Sequence, residues 1–302
     1  MAEFSPTSES PAQPAVRIAV IGDLHDHWTD DDVAQLNASD YHGVLFVGDL
    51  GRGTQTSQRI SRSMSRLEKP TLVMPGNADA PHAARLQAEF SMRRGLSQLF
   101  ADASDTTLAR RAQLVEGVRL CGYSLHRPRW PGLDFTVVCG RPYSMGGPEL
   151  AFAPELHGIY GIDSMEDSAK RLVGLVDRAE TEALVFVGHN GPAGLGDRPT
   201  DPWGCDFLPG RADWGDPDLG EAVAHARAQG QRVLAVVAGH MHLSVKSVNA
   251  ERTWIREDDG VLFVNPARVP RIVSRGGRES HHHVALTLSE SGARAEEVYW
   301  DV

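Results

Sequence analysis

The sequence predicts an α/β layered fold with its chemistry gathered at the carboxyl ends of strands. Two observations carry this. First, five segments share one plan: "RIAVIGD" (17–23), "GVLFVGD" (43–49), "TLVMPGN" (71–77), "ALVFVGH" (183–189) and "LAVVAGH" (234–240). Each is an apolar run rich in Val, Ile and Leu, which reads as a strand buried on both faces. Each then meets a Gly, which permits an abrupt turn, and next an Asp, Asp, Asn, His or His. Second, helical patterns lie between these runs.

Taken along the chain, residues 1–15 ("MAEFSPTSESPAQPA") are rich in Ser, Pro and Glu and lack an apolar h-region, so they read as a disordered tail. Residues 16–302 read as one domain. After the first strand, Thr29 followed by Asp30, Asp31 and Asp32 marks a helix start. Residues 56–67 and 82–100 are amphipathic enough for helices. Ser164 with Asp167 resembles a capping box, opening a helix to about Ala179. Asp216-Pro217 opens another to about Gln229, with Pro at the first helical position. Residues 122–161 and 190–215 are rich in Gly, Pro, Arg and Trp and break the alternation; both are expected to be irregular loops walling a site.

Composition narrows the function. The 302 residues are 41% apolar, enough for a sizeable core, and no apolar run approaches the ~20 residues of a membrane span. A formal charge of -10 argues against binding a nucleic-acid polymer, although a metal site could still attract a small anion. The three cysteines, Cys121, Cys139 and Cys205, form no C-x-x-C pair, which suits a reducing, cytoplasmic location and argues against a zinc–thiolate site.

Two of the five strand ends are extended. "GDLHDH" supplies Asp23 and His25, and "GHMH" supplies His240 and His242; alternation lets each pair point the same way. With Asp49, Asn77 and His189 the set has seven O and N donors. That exceeds one tetrahedral zinc site and suits two divalent ions sharing a ligand. Imidazole with carboxylate and no thiolate favours Mn, Fe, Zn or Ni over Mg or Ca, with Mn preferred.

These motifs, in this order, resemble those of the calcineurin-like metallophosphoesterase superfamily: D-x-H, G-D, G-N-H-D/E, G-H and G-H-x-H. "GDLHDHW", "GHNGPAGLGD", "GDPDL" and "VNPARVPRI" are similar to a bacterial and plant branch of it. The resemblance spans nearly everything after residue 16. It implies two sheets packed face to face with helices outside (αββα). It also implies that Asp23, His25 and His242 hold one metal, that Asn77, His189 and His240 hold the other, and that Asp49 bridges them. The implied chemistry is in-line attack on phosphorus by a metal-bridging hydroxide.

One position departs from the pattern. Where the superfamily has His after the Asn, thought to protonate the leaving oxygen, this chain has Ala78, although the following acid, Asp79, remains. Three accounts are open: an engineered His-to-Ala variant, a natural departure with His82 or His27 as the substitute acid, or natural loss of efficient catalysis. Arg268, Arg141 and Asn190 are expected to contact substrate, each weighed against a structural role. His157, His225 and the run His281-His282-His283 are expected at the surface.

The leading functional reading is a phosphoesterase acting on a small phosphorylated substrate, with a slight preference for diesters over monoesters. The alternative is a non-catalytic metal-binding scaffold, as in the retromer subunit with this fold, though a scaffold need not keep all seven donors. A DNA nuclease of the same superfamily is disfavoured by the acidic balance. Oligomeric state is not legible.

Overall fold

The computed structural model describes residues 15–82, 118–130, 132–208, 210–245 and 247–302. The expected tail (1–15, all but Ala15) and the expected helix at 82–100 lie outside them, apart from the backbone of His82. The described residues form two mixed sheets and a small antiparallel ribbon, β9 (Ser244–Val245) with β10 (Ala250–Glu251). In the first, β1 (Val16–Ile21), β2 (Gly43–Phe46), β3 (Thr71–Val73) and β4 (Val118–Leu120) run parallel in that order. In the second, β6 (Phe135–Cys139), β7 (Ala183–Val187), β8 (Arg232–Val237) and β12 (Val261–Val264) run parallel. The antiparallel strands β5 (Ser124–His126) and β11 (Ile255–Asp258) flank them.

Alternation along the strands divides the core into three. Val16, Ile18 and Val20 of β1 meet Val185 and Val187 of β7 and Ala235 and Val237 of β8 between the sheets. On the outer face of the first sheet, Ala19 and Ile21 pack with residues of α1 (Asp30–Ala38) and α2 (Thr54–Met64). On the outer face of the second, Leu184 and Phe186 pack with α3 (Ala153–Tyr160), α4 (Met165–Val176) and α5 (Pro217–Ala228). This is a two-sheet sandwich between helical layers, as the sequence predicts.

The expected helix starts are seen in atomic terms. Thr29 N donates to Asp32 Oδ2 at 2.9 Å, and Ser164 Oγ accepts from Asp167 N at 3.0 Å. The α4 helix stops at Val176, three residues before the expected Ala179. Among the described residues no helix is long and apolar enough to cross a membrane.

Two expectations are corrected. Residues 122–161 are not one irregular loop, because they contain β5, β6 and α3. The strand "FTVVC" is an apolar run like the others, obscured by the Pro, Arg and Gly around it. The described residues of the 190–215 segment, by contrast, hold no helix or strand and take part only in isolated bridges, Pro192 to Asp216 and Gly204 to Asp213.

The His281–His283 run is buried, not exposed. It lies in β14 (Arg278–Ser289), which pairs with β1, β13 (Ile272–Arg275) and β15 (Gly292–Asp301). Each imidazole finds a polar neighbour. His281 Nδ1 lies 2.9 Å from Asp32, His282 Nε2 lies 3.0 Å from Glu297, and His283 Nε2 meets Tyr41 Oη at 2.8 Å. Asp32 is also paired with buried Arg271 at 2.8 Å, and this network ties α1 to the first sheet. His157 is exposed as expected, and His225 is half-buried against Asp177.

Burial of His283, reinforced by the charge of Arg271, pushes its imidazole down to about 3. The unfolded chain takes up this proton near 6.5. Between those values the unfolded state binds more protons, so folding stability falls as pH drops through 6.5 towards 3. Urea unfolding should therefore show a loss of about 1 kcal/mol per pH unit from this group below 6.5, and His283→Gln should remove that slope.

Candidate metal centre

The parallel strands of both sheets end at one edge, and the turns after them carry the expected donors. Local conformation there is unusual. His25, Asp26, Asp49 and His240 have φ of 41°, 75°, 51° and 65°, a left-handed region that non-glycine residues seldom adopt. Gly48 has φ of 115°, and a Cβ there would stand 2.5 Å from His189 Nδ1. The bare Cα lets the second sheet's ligand lie against the first sheet's turn.

Within this edge Asp23, His25 and His242 form one group of potential ligands, and Asp23, Asp49 and His189 form another. His25 Nε2 and His242 Nε2 are 3.0 Å apart, and His242 Nε2 is 3.3 Å from Asp23 Oδ2. In the neighbouring half, His189 Nε2 is 2.9 Å from Asn77 Oδ1. Asp49 stands between the halves: its Oδ2 is 3.4 Å from His25 and its Oδ1 is 3.6 Å from His189. His240 completes the cluster, with its ring 5.1 Å from that of His189.

Ring orientation follows from outer hydrogen bonds. His189 Nδ1 donates to Val47 O at 2.5 Å, which turns Nε2 toward Asn77 and Asp49. His240 Nε2 donates to Met145 O at 3.1 Å, leaving Nδ1 bare. A carbonyl accepts only, so each tautomer is fixed in the way metal-binding histidines are held. Burial pushes His240 down to about 3, which keeps it neutral as a ligand must be. Burial pushes the Asp23 carboxyl up, but the His242 hydrogen bond and the charges of His189, His242 and His25 outweigh it and hold the group at about 2. Asp23 Oδ2 is buried with the His242 ring beside it at 3.3 Å, and no backbone or hydroxyl group donates to it. Carboxylate and imidazole donors converging at one buried edge, without thiolate, fit divalent cations.

The remaining expected site residues are distributed differently. Asp79 is buried and accepts from Leu50 N at 3.1 Å and Gly76 N at 2.9 Å, so it clamps two ligand turns together. Burial and the nearby Asp49 push it up to about 7. His27 is half-buried, and burial followed by Arg52 lowers its imidazole. The His82 side chain lies outside the described ones.

Three expected substrate contacts are engaged within the protein. Arg141 is fully buried, 3.0 Å from Asp216 and 2.9 Å from Asp218. Asn190 Nδ2 donates to Trp214 O at 2.8 Å and to Asp216 Oδ1 at 3.2 Å. Arg268 pairs with Glu297 at 2.9 Å and Glu251 at 3.1 Å. In each case an acid or carbonyl distant in sequence supplies the structural partner that the sequence reading weighed against substrate contact.

Arg252, unforeseen in the sequence, is buried and donates to Pro199 O, Asp201 O and Gly204 O at 2.5, 2.9 and 2.7 Å. Its Nε donates to His242 O at 3.1 Å, fastening the long loop to a candidate ligand. An isolated Arg in "NAERTW" carries no signal of this.

A known protein family matches residues 16–244, and its description is calcineurin-like phosphoesterase. The chain belongs to this family. Solved structures of low identity are also similar to this chain. Phosphopantetheinyl hydrolase (PptH) from Mycobacterium tuberculosis is 14% identical, with 82% of this chain and 87% of that one covered and a TM-score of 0.45. A metallophosphoesterase from Sphaerobacter thermophilus is 12% identical, with 94% and 88% covered and a TM-score of 0.34. Vacuolar Protein Sorting 29 from Cryptosporidium parvum is 13% identical, with 95% and 99% covered and a TM-score of 0.34. No curated relative matches significantly.

Proposed function

We propose that this calcineurin-like chain is a dinuclear metal-dependent phosphoesterase acting on a small phosphorylated molecule, with diesters favoured. The observation that carries the reading is the Asp49 carboxylate, whose two oxygens address His25 on one side and His189 on the other. In this reading Asp23, His25 and His242 hold one ion, Asn77, His189 and His240 hold the second, and Asp49 serves both. Two ions so held, with Mn preferred, would supply an activated water and neutralise phosphoryl charge.

The chain's own residues shape the rest. Asn77 contributes a neutral oxygen, leaving net positive charge for the substrate anion. Ala78 carries no proton for the leaving oxygen, so esters of acidic alcohols should react best. Of the two candidate substitute acids, His27 and His82, only the side chain of His27 is among the described ones. Three free, buried thiols suit a reducing compartment.

The test is hydrolysis of bis(p-nitrophenyl) phosphate and p-nitrophenyl phosphate after chelator treatment, with and without restored Mn²⁺. Metal-dependent turnover, faster on the diester, is expected. Tight metal binding with no turnover on either ester would instead favour the scaffold.

A further inference from the structure

The rim beside His240 carries an aromatic platform that the ligand set does not use. The exposed large apolar side chains among the described residues include Met145 (45% exposed), Phe207 (54%) and Leu208 (43%). These sit on two loops that meet at this rim. Phe207 packs edge-on against Trp214, with ring centroids 5.0 Å apart at 80°.

The platform is joined to the metal centre through one atom. Trp214 Nε1 donates to Met145 O at 2.7 Å, and the same carbonyl accepts from His240 Nε2 at 3.1 Å. Gly146, with φ of 72°, passes so close that a Cβ would stand 2.5 Å from Trp214 O. The aromatic-bearing loop is also held without a ligand. Trp214 N donates to Trp203 O at 2.9 Å, and Cys205 N donates to Ala212 O at 2.6 Å. Asp213 Oδ1 accepts from Gly215 N at 3.0 Å.

An exposed Phe207 ring against half-buried Trp214, flanked by exposed Met145 and Leu208 at the edge of a polar centre, suits a ligand contact. Three side chains fall well short of the roughly 800 Å² per partner that a stable protein interface buries, so a small molecule suits the patch better than a protein. A planar ring placed on the free face of Phe207 gains an aromatic contact that an aliphatic group of the same size does not.

We propose that this platform binds a planar aromatic group on the organic portion of the phosphoester, making aryl- or nucleobase-bearing phosphoesters the substrate class. The proposal rests on the phosphoesterase reading, and its test separates the two. The Mn²⁺-loaded full chain is titrated calorimetrically with phenylphosphonate, cyclohexylphosphonate and methylphosphonate, which share one anionic head.

Phenylphosphonate should bind about tenfold more tightly than methylphosphonate, with cyclohexylphosphonate between them. Phe207→Ala should shrink the phenyl advantage to about threefold or less without moving the methyl affinity or the melting temperature. Equal phenyl and methyl affinities would overturn the platform while leaving the anion site intact. Cyclohexyl binding as tight as phenyl would overturn the aromatic preference. Failure of all three to bind would overturn the phosphoesterase reading itself.

Discussion

Asp49→Asn should lower turnover by about a thousandfold and remove one of the two bound metal equivalents. The carboxylate offers one oxygen to each half of the centre, and the amide keeps only one. The backbone should tolerate the change, because Asn accepts the left-handed conformation that Asp49 occupies with φ of 51°. Ala78 N, which donates to Asp49 Oδ1 at 2.8 Å, would retain an acceptor in one amide orientation. Losing several kcal/mol of charge stabilisation, at about 1.4 kcal/mol per tenfold in rate, sets the expected scale. Metal content after gel filtration and kcat on bis(p-nitrophenyl) phosphate check both parts. Two equivalents with undiminished kcat would mean that Asp49 does not bridge.

Ala78→His should raise turnover by about a hundredfold or more on esters of poor leaving groups. Little change is expected on p-nitrophenyl esters, whose leaving oxygen needs no proton. Ala78 lies half-buried on the 3-10 turn Asn77–His82, one residue after a proposed ligand, so the added imidazole would stand at the site's edge. Asp79 would not orient it without cost, because its oxygens already hold Leu50 N and Gly76 N. The comparison is kcat for an alkyl phosphodiester against kcat for bis(p-nitrophenyl) phosphate in both proteins. An equal response on both would point to a role in phosphate clamping. No response would move attention to His27 and His82 as proton donors.

The two-sheet arrangement was implied by the family resemblance. The α/β layering and the clustering of Asp23, Asp49, Asn77, His189 and His240 at one edge were legible because each of these residues follows its own apolar strand and Gly. Such punctuation is local, and local patterns survive in sequence. Arg141 shows where the pattern misleads, since "FTVVCGR" ends a strand in the same way yet delivers a buried ion pair with Asp216 and Asp218. The identity of the acid partners, far along the chain, decides its role.

The burial of His281–His283 was illegible for a similar reason. A polar run reads as surface unless the partners Asp32, Glu297 and Tyr41 are already known to lie opposite it. The platform at Phe207 and Trp214 and the clamp at Arg252 are likewise made of contacts between loops, which leave no periodicity. Residues 190–215 could be read as a wall of the site, but not which side chains the wall presents.

The most direct test of the dinuclear centre is a Mn²⁺ titration of the metal-free chain, with bound metal and diester turnover measured at each addition. The account requires saturation at two equivalents, with turnover rising as the second is taken up. Saturation at one equivalent, or two equivalents bound without any hydrolysis, would contradict it.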